Sequence, residues 1–379
     1  MDLSTILLLC AIVAGLFAGF AARFRSWGTG LADLATGFVA AALVAILSIV
    51  VLVLTMDLGF FGIIHLLYLW LVVSFPIASA IIVIPHLLDA EFRTPLMAWF
   101  LLIASIVFVA AGLWATHVEP FRLQEERVGL GIEGATDTLL VGVIADLQTG
   151  SIGDYERSAV QRVIDADPDI IVMPGDLFQF DQPEDFDARA PEFIGLLRTI
   201  TDSVDTVVLV EGDHDTPEGV AAIAEAAGAI FLQDEILPVQ VGSQTVTIVG
   251  LVSRSGEERA DIGELVQSQI DDTLTSDDLV LLVTHAPDPV LNLDRSTPVD
   301  LVIAGHTHGG QVQLPGIGPI ITFSDVPDEI AAGGLFSYEG NPIYVSTGVG
   351  LERRQAPQLR FGAPPSIGLI TITPPVIDG

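Results

Sequence analysis

Four long apolar stretches open the chain, at about 3–22, 31–55, 60–84 and 96–115. A hydrocarbon core of roughly 30 Å takes about 20 helical residues to cross, so each stretch is long enough to span it. The pattern predicts an all-α, four-helix transmembrane bundle over residues 1–118. Ala14, Gly15, Gly19, Gly37, Ala41 and Ala42 supply the small side chains that let such helices approach. His65, His86 and His117 belong to this part and read as structural, with His65, deep in the third span, placed to hydrogen-bond across helices. A polar, glycine-containing segment, 119–137, reads as a linker. From Thr138 the pattern changes to short apolar runs alternating with amphipathic segments, which predicts a layered α/β domain over 138–379.

In that second domain the strands end on polar side chains. Leu139–Ala145 leads to Asp146 and Gln148, and Asp169–Pro174 leads to Asp176. Thr206–Val210 leads to Asp213, His214 and Asp215, and Leu279–Val283 leads to His285. Leu301–Ala304 leads to His306 and His308. Helices are expected at 154–166, near 189–201, from Pro217 to Ala227 and near 261–272. A hairpin turning at Gly242-Ser243 spans 237–251, and strands close the chain at 342–346 and 367–372. Open α/β sheets place their sites at the carboxyl ends of strands, so these polar groups can converge. All four histidines of the domain sit at such ends.

Composition sharpens the division. Forty-two of the 48 acids and 12 of the 15 basic residues follow Pro120, so that part carries −30 of the net −33. Every basic residue is Arg, and Lys is absent. Such a surface predicts a halophilic source and argues against nucleic acid as a partner, since phosphate backbones attract Lys and Arg. On so acidic a domain, the runs around Asp165, Asp167, Asp169, Asp271, Asp272, Asp277 and Asp278 read as solvated surface. The one cysteine, Cys10, lies in the first apolar run and rules out an internal disulfide. Arg23, Arg25 and Arg93, taken as cytoplasmic, put both termini and the second domain outside, against the counter-signal of Arg122 and Arg127. The expectation is a multi-pass cell-membrane protein whose partner is the lipid bilayer.

Carboxylates mixed with imidazoles suit Mn, Fe or Zn, and the strand-end set is too large for one tetrahedral ion but fits two. Two ions about 3.5–4 Å apart clamp the oxygens of an in-line phosphoryl displacement and make hydroxide available near neutral pH. The series Asp146-x-Gln148, Gly175-Asp176, Gly212-Asp213-His214-Asp215, Thr284-His285 and Gly305-His306-Thr307-His308 resembles the calcineurin-like metallophosphoesterase superfamily. Gly305–Gln311, Tyr344–Gly350, Arg360-Phe361-Gly362 and Pro364-Pro365 resemble its membrane-associated YkuE/YaeI-like branch. The likeness covers about 138–374 and rests on five motifs in the right order.

The resemblance implies a four-layer α/β/β/α sandwich. It also implies that Asp146, Gln148, Asp176 and His308 hold a first ion, while Asp176, Asp213, His285 and His306 hold a second, with Asp176 bridging. His214 would assist the leaving group. Asp215 would orient that imidazole, or else cap the helix opening at Pro217. Arg353 and Arg354 either contact a phosphate or lie on the surface. Gln148 stands where the family usually has His, and Asp213 where it usually has Asn. An amide oxygen is a weaker, harder ligand, which favours Mn or Mg over Zn at the first site. The expected function is a membrane-anchored phosphoesterase with two divalent ions, Mn foremost and Fe, Zn or Mg as alternatives. Its substrate would be a phosphomonoester or phosphodiester, lipid-linked in view of the apolar half. The alternative, motivated by Gln148, is a degenerate metal-binding membrane sensor or scaffold.

Overall fold

A computed structural model describes residues 3–25, 31–56, 58–88, 96–180, 185–252, 279–293 and 297–375. The helix expected near 261–272, with Asp271, Asp272, Asp277 and Asp278, lies outside the described residues, as does Arg93. The chain divides into two units. One is Met1–Val118 with Glu352–Gln358, and the other is Glu119–Leu351 with Leu359–Gly379.

The first unit is helical. It runs α1 (Leu3–Arg25), α2 (Leu31–Met56), α3 (Phe60–Leu69), a π turn (Trp70–Ser74), α4 (Phe75–Leu88) and α5 (Leu96–His117). Three stretches are long and apolar enough to cross a membrane, namely Leu3–Arg23, Phe60–Ile84 and Ala98–Phe121. The fourth expected span is represented among the described residues by a shorter apolar helix, Ala42–Met56. The stretch Phe60–Ile84 is one continuous rod that loosens at the π turn, where the Phe75 N–H reaches the Trp70 carbonyl. There Ser74 Oγ donates to the Ala11 carbonyl at 2.7 Å. A Cβ on Gly15 would stand 2.8 Å from Ser74 Cα, so the small residue is what allows the contact. His65 is buried, and its Nδ1 lies 3.2 Å from the Gln355 carbonyl of the segment Glu352–Gln358. The expected partner on a neighbouring helix gives way to a backbone oxygen from a distant part of the sequence.

The second unit is α/β with mixed sheets. One sheet has the order β1-β14-β2-β3-β4-β5, the other β12-β13-β9-β8-β7-β6. In the first, β2 (Leu139–Val143), β3 (Ile170–Pro174), β4 (Val207–Val210) and β5 (Ile230–Phe231) run parallel. β14 (Ser366–Thr373) is antiparallel to β2 and parallel to β1 (Gln124–Gly131). In the second, β7 (Gln244–Gly250), β8 (Leu279–Val283), β9 (Leu301–Ala304) and β13 (Asn341–Val345) run parallel. β6 (Glu235–Val241) and β12 (Gly334–Tyr338) form its antiparallel edges.

The segment 119–137, expected as a linker, therefore carries an edge strand. Its alternate residues Glu126, Val128 and Leu130 are half-buried while Glu125 and Arg127 face out and pair at 3.1 Å. Charges at the alternate positions concealed the period of two. Strand β12 was likewise not expected.

Residues of both sheets share one apolar cluster: Val141, Val143, Val172 and Val208 from one, Ile248, Leu281, Ile303 and Tyr344 from the other. The opposite face of the first sheet packs on α6 (Asp154–Ile164), α7 (Asp185–Thr201) and α8 (Pro217–Ala227) through Val160, Phe193, Leu197 and Ile223. Helix starts follow local chemistry. The Glu156 carboxylate accepts from the Gly153 N–H at 2.8 Å ahead of α6. Thr216, not Asp215, caps α8, its side chain accepting from Gly219 N with Pro217 in the first turn.

Candidate metal centre

The parallel strands deliver their last residues to one place. Asp146 and Asp176, after β2 and β3, are buried to within 1% of complete, and His285, after β8, is fully buried. Asp213 follows β4 and keeps 48% of its side chain in solvent. His285 Nε2 lies 2.9 Å from Asp213 Oδ1 and 3.6 Å from Asp176 Oδ2, and its Nδ1 lies 3.7 Å from Asp146 Oδ1. His306 Nδ1 is 3.1 Å from His285 Nε2 and 3.5 Å from Asp213 Oδ1. The His306 N–H donates to both Asp146 oxygens, and the His214 N–H donates to Asp176 Oδ1 at 2.9 Å.

The turns that make this possible are tight. Asp146, Gln148, Asp176, His306 and His308 all have positive φ, between 35° and 69°. That region is uncommon for residues with a side chain and gathers at functional sites. Gly212 is required by close approach, since a Cβ there would land on the Asp176 carboxylate. Asp215 braces the same turns: its carboxylate accepts from the backbone N–H groups of Gly212, Leu177 and Phe178 at 3.0–3.2 Å.

Electrostatics follow from this crowding. Burial pushes the Asp176 carboxyl well up, and the nearby charges of Asp213, Asp215 and Asp146 push it further. Burial also raises Asp146, against the opposing pull of His285 and His306. At Asp213 burial acts upward, but hydrogen bonds from His285 and His306 win and hold the carboxyl far below its usual range. Burial lowers His285, yet Asp213 and Asp146 outweigh it and carry the ring up to about 9.

The donor set fits divalent cations. Three groups with ligand atoms within 4.8 Å of one another form among the described residues: Asp213-His285-His306, Asp146-Asp176-His285 and Asp176-Asp213-His214. The imidazoles are tied for ligation as well. His285 Nδ1 faces the Pro174 carbonyl at 2.9 Å, and His306 Nε2 faces the Phe323 carbonyl at 3.1 Å. A carbonyl only accepts, so in the neutral rings that metal ligation requires those nitrogens would carry the protons, leaving His285 Nε2 and His306 Nδ1 as ligand atoms.

Gln148 is buried, its N–H donating to the Asp176 carbonyl at 2.9 Å. His308 belongs to none of the three groups and packs against Arg360, with Nδ1 and Nη2 3.3 Å apart. Burial and the guanidinium charge keep that ring neutral. Arg353 and Arg354 lie in Glu352–Gln358, the segment grouped with the helical unit.

Arg360 enters the sequence reading only through the branch motif Arg360-Phe361-Gly362, with no role assigned to it. It is fully buried and donates to the carbonyls of His308, Thr347, Gly348, Gly350 and Ala363. The available signal was an Arg set among Leu359, Phe361 and Ala363 in a chain whose other charges are mostly solvated.

Residues 139–310 match the family described as calcineurin-like phosphoesterase. The chain is 30% identical over 227 residues to the uncharacterized metallophosphoesterase YkuE of Bacillus subtilis, covering 57% of this chain and 72% of YkuE. It is 28% identical over 200 residues to the phosphodiesterase YaeI of Escherichia coli, covering 51% and 67%. A shorter match, 35% over 96 residues, is to the UDP-2,3-diacylglucosamine pyrophosphatase LpxG of Chlamydia trachomatis, covering 24% and 28%. Order of motifs, clustering of donors and these relatives agree: the chain belongs to the calcineurin-like phosphoesterase family, in the YkuE- and YaeI-like branch, and is a phosphoric ester hydrolase.

Proposed function

We propose that this protein is a membrane-anchored, metal-dependent phosphoesterase acting on a phosphomonoester or phosphodiester that is lipid-linked. The observation that carries the reading is the overlap of three Asp/His donor groups at the ends of strands from both sheets. Three apolar helices of spanning length support the anchor, and an extracytoplasmic catalytic domain is the placement that the arginine distribution favours. A lipid-linked substrate is supported by the same helices and by the acylated sugar nucleotide in the name of one relative. The shared apolar cluster between the sheets, with helices on the outer face of the first, supports a four-layer α/β/β/α arrangement.

In this reading Asp146, Gln148, Asp176 and His308 hold one divalent ion, and Asp176, Asp213, His285 and His306 the other, with Asp176 shared. The second set has the firmer support, from the paired orientation of His285 and His306. Manganese is the proposed metal, on the oxygen-rich character of the first set. Divalent ions, when bound, acidify water to a pKa of about 7 and neutralise phosphate oxygens. The chain's own groups do the rest. Asp176 fixes the His214 backbone through the bond at 2.9 Å, and Asp215 locks the turn behind it. His214, half-buried, then gives its proton to the departing oxygen.

Turnover of a chromogenic phosphodiester with added Mn tests the proposal. His214→Ala lowers kcat by about 10²–10⁴-fold while metal content stays unchanged. Equal rates in the two proteins would remove His214 from the chemistry. Metal analysis finding no ion at saturating Mn would remove the site itself and favour a protein without turnover.

A further inference from the structure

After Phe121, every large apolar side chain exposed among the described residues lies in one short segment: Leu314, Ile317, Ile320 and Phe323. These stand on and beside the hairpin β10 (Gln313–Leu314) and β11 (Gly318–Pro319), with Ile317, at its tip, 69% exposed. From Gly309 to Ser324 no residue is charged, although this half of the chain carries −30. A soluble surface does not ordinarily collect four such side chains on one protrusion and strip it of charge.

The base of the hairpin is held firmly. Gln313 N donates to the Phe361 carbonyl at 2.7 Å, and the Gln313 amide donates to Gly309 and Ala332 carbonyls at 3.0 Å. Its far end reaches the metal centre, where the Phe323 carbonyl fixes His306 Nε2 at 3.1 Å. Hydrogen bonds thus tie the apolar protrusion to the metal centre within one continuous segment.

We propose that this hairpin dips into the interface of the lipid bilayer and holds the site at headgroup level. The inference rests on the hydrolase reading only for its purpose. Three observations single out the bilayer as occupant. The chain carries three apolar helices of spanning length, so a bilayer is at hand wherever the protein resides. Anionic headgroups repel an acidic surface within a Debye length of about 8 Å, and the uncharged hairpin is the part that escapes this. Pro315 and Pro319 deny the hairpin edge the N–H groups that strand pairing with a second chain needs. Exposed aliphatic and aromatic side chains on and beside the hairpin suit insertion among acyl chains.

The test uses the full chain in lipid nanodiscs. Cys10→Ala leaves no thiol, and Ile317→Cys or, as control, Asp202→Cys then carries an environment-sensitive fluorophore. Lipids bearing a spin label just below the headgroup quench the probe at 317 at least about threefold more than the probe at 202, which is exposed on the α7 end. Introducing Ile320→Asp beside the probe abolishes that difference, and in the unlabelled protein lowers the ratio of lipid-ester to soluble-ester turnover by about tenfold. Equal quenching at both positions overturns the proposal. So does protection of the 317 probe that depends on protein concentration, which would mean a second copy. Quenching needs no turnover, so a protein inert toward both esters would refute the hydrolase reading while the depth result stood.

Discussion

Arg360 offers the sharpest test of how the site is held. Its guanidinium is fully buried and faces five backbone carbonyls, the shortest bonds being 2.7 Å to Thr347 and to Gly350. Burial lowers its pKa only to about 10, so it stays charged at neutral pH. Arg360→Met keeps most of the volume and removes every donor. A charge-assisted hydrogen bond contributes about 1.5–3 kcal/mol, and the bonds do not add because one buried cation is desolvated once for all of them. Removing one partner of a buried polar network costs about 3–5 kcal/mol, and the five stranded carbonyls put this site at the upper end. Arg360→Lys recovers little, since one ammonium cannot address five carbonyls set around a planar fork. Urea unfolding followed by tryptophan-independent circular dichroism, together with metal content, reads the outcome. The expected result is a midpoint shift equal to about 4 kcal/mol and weaker retention of metal, because His308 loses its neighbour. A loss below about 1 kcal/mol, or full rescue by Lys, would show that the loops from Thr347 to Ala363 hold themselves and that Arg360 is incidental.

Other expectations are as specific. Gly212→Ala drives a methyl into the Asp176 carboxylate, so metal binding and turnover fall by at least about 100-fold, and wild-type activity in this variant would contradict the packing. In metal-free protein the His285 pKa, raised from 6.5 to about 9, adds stability that is complete below 6.5 and lost as pH climbs through 9. The loss is on the order of 3 kcal/mol and vanishes with saturating divalent metal, which needs the neutral ring; thermal melts across this window in chelator and in Mn check both halves. Gln148→His raises the first site's affinity for Zn over Mn in competition titrations, and an unchanged preference would show that position 148 does not ligate. Carrying −30 after Pro120, the catalytic unit melts at higher temperature in molar KCl than in dilute buffer, and a flat response would exclude self-repulsion as a major cost.

What the sequence made legible was whatever local pattern encodes. Short apolar runs gave β2, β3, β4, β8 and β9, and the residues just past them gave Asp146, Asp176, Asp213, His285 and His306. The edge strand β1 escaped because an edge has one solvated face and tolerates charge at alternate positions, as Glu125 and Arg127 illustrate. The role of Arg360 escaped for the opposite reason. A buried cation is satisfied by carbonyls up to 52 residues away, such as that of His308, and no local spacing announces them. Of the two roles expected for Asp215, the cap ahead of Pro217 falls to Thr216, and the Asp215 carboxylate turns back to the N–H groups of Leu177 and Phe178, contacts that no local spacing announces.

The strained turns explain why the site had to be assembled at this depth. Five residues with side chains adopt φ between 35° and 69°, each at a cost of about 1–3 kcal/mol. Glycine would relieve it at every one, yet a glycine cannot present a carboxylate, an amide or an imidazole. The backbone is therefore bent by force of its surroundings. Asp146 N is held by the Gly175 carbonyl, Gln148 N by Asp176, and His306 N by the Asp146 carboxylate. Gln148 and His306 are thus each fastened by another bent residue, Asp176 and Asp146, and the sheets on which these turns end are among the most deeply buried parts of the chain. Loosening one turn should then loosen its neighbours. A double-mutant cycle between Asp215→Asn and Arg360→Met measures that coupling, because the two brace opposite ends of the array and share no partner. A coupling energy above about 0.5 kcal/mol follows from a single interlocked array, and strict additivity would mean that the turns are bent independently.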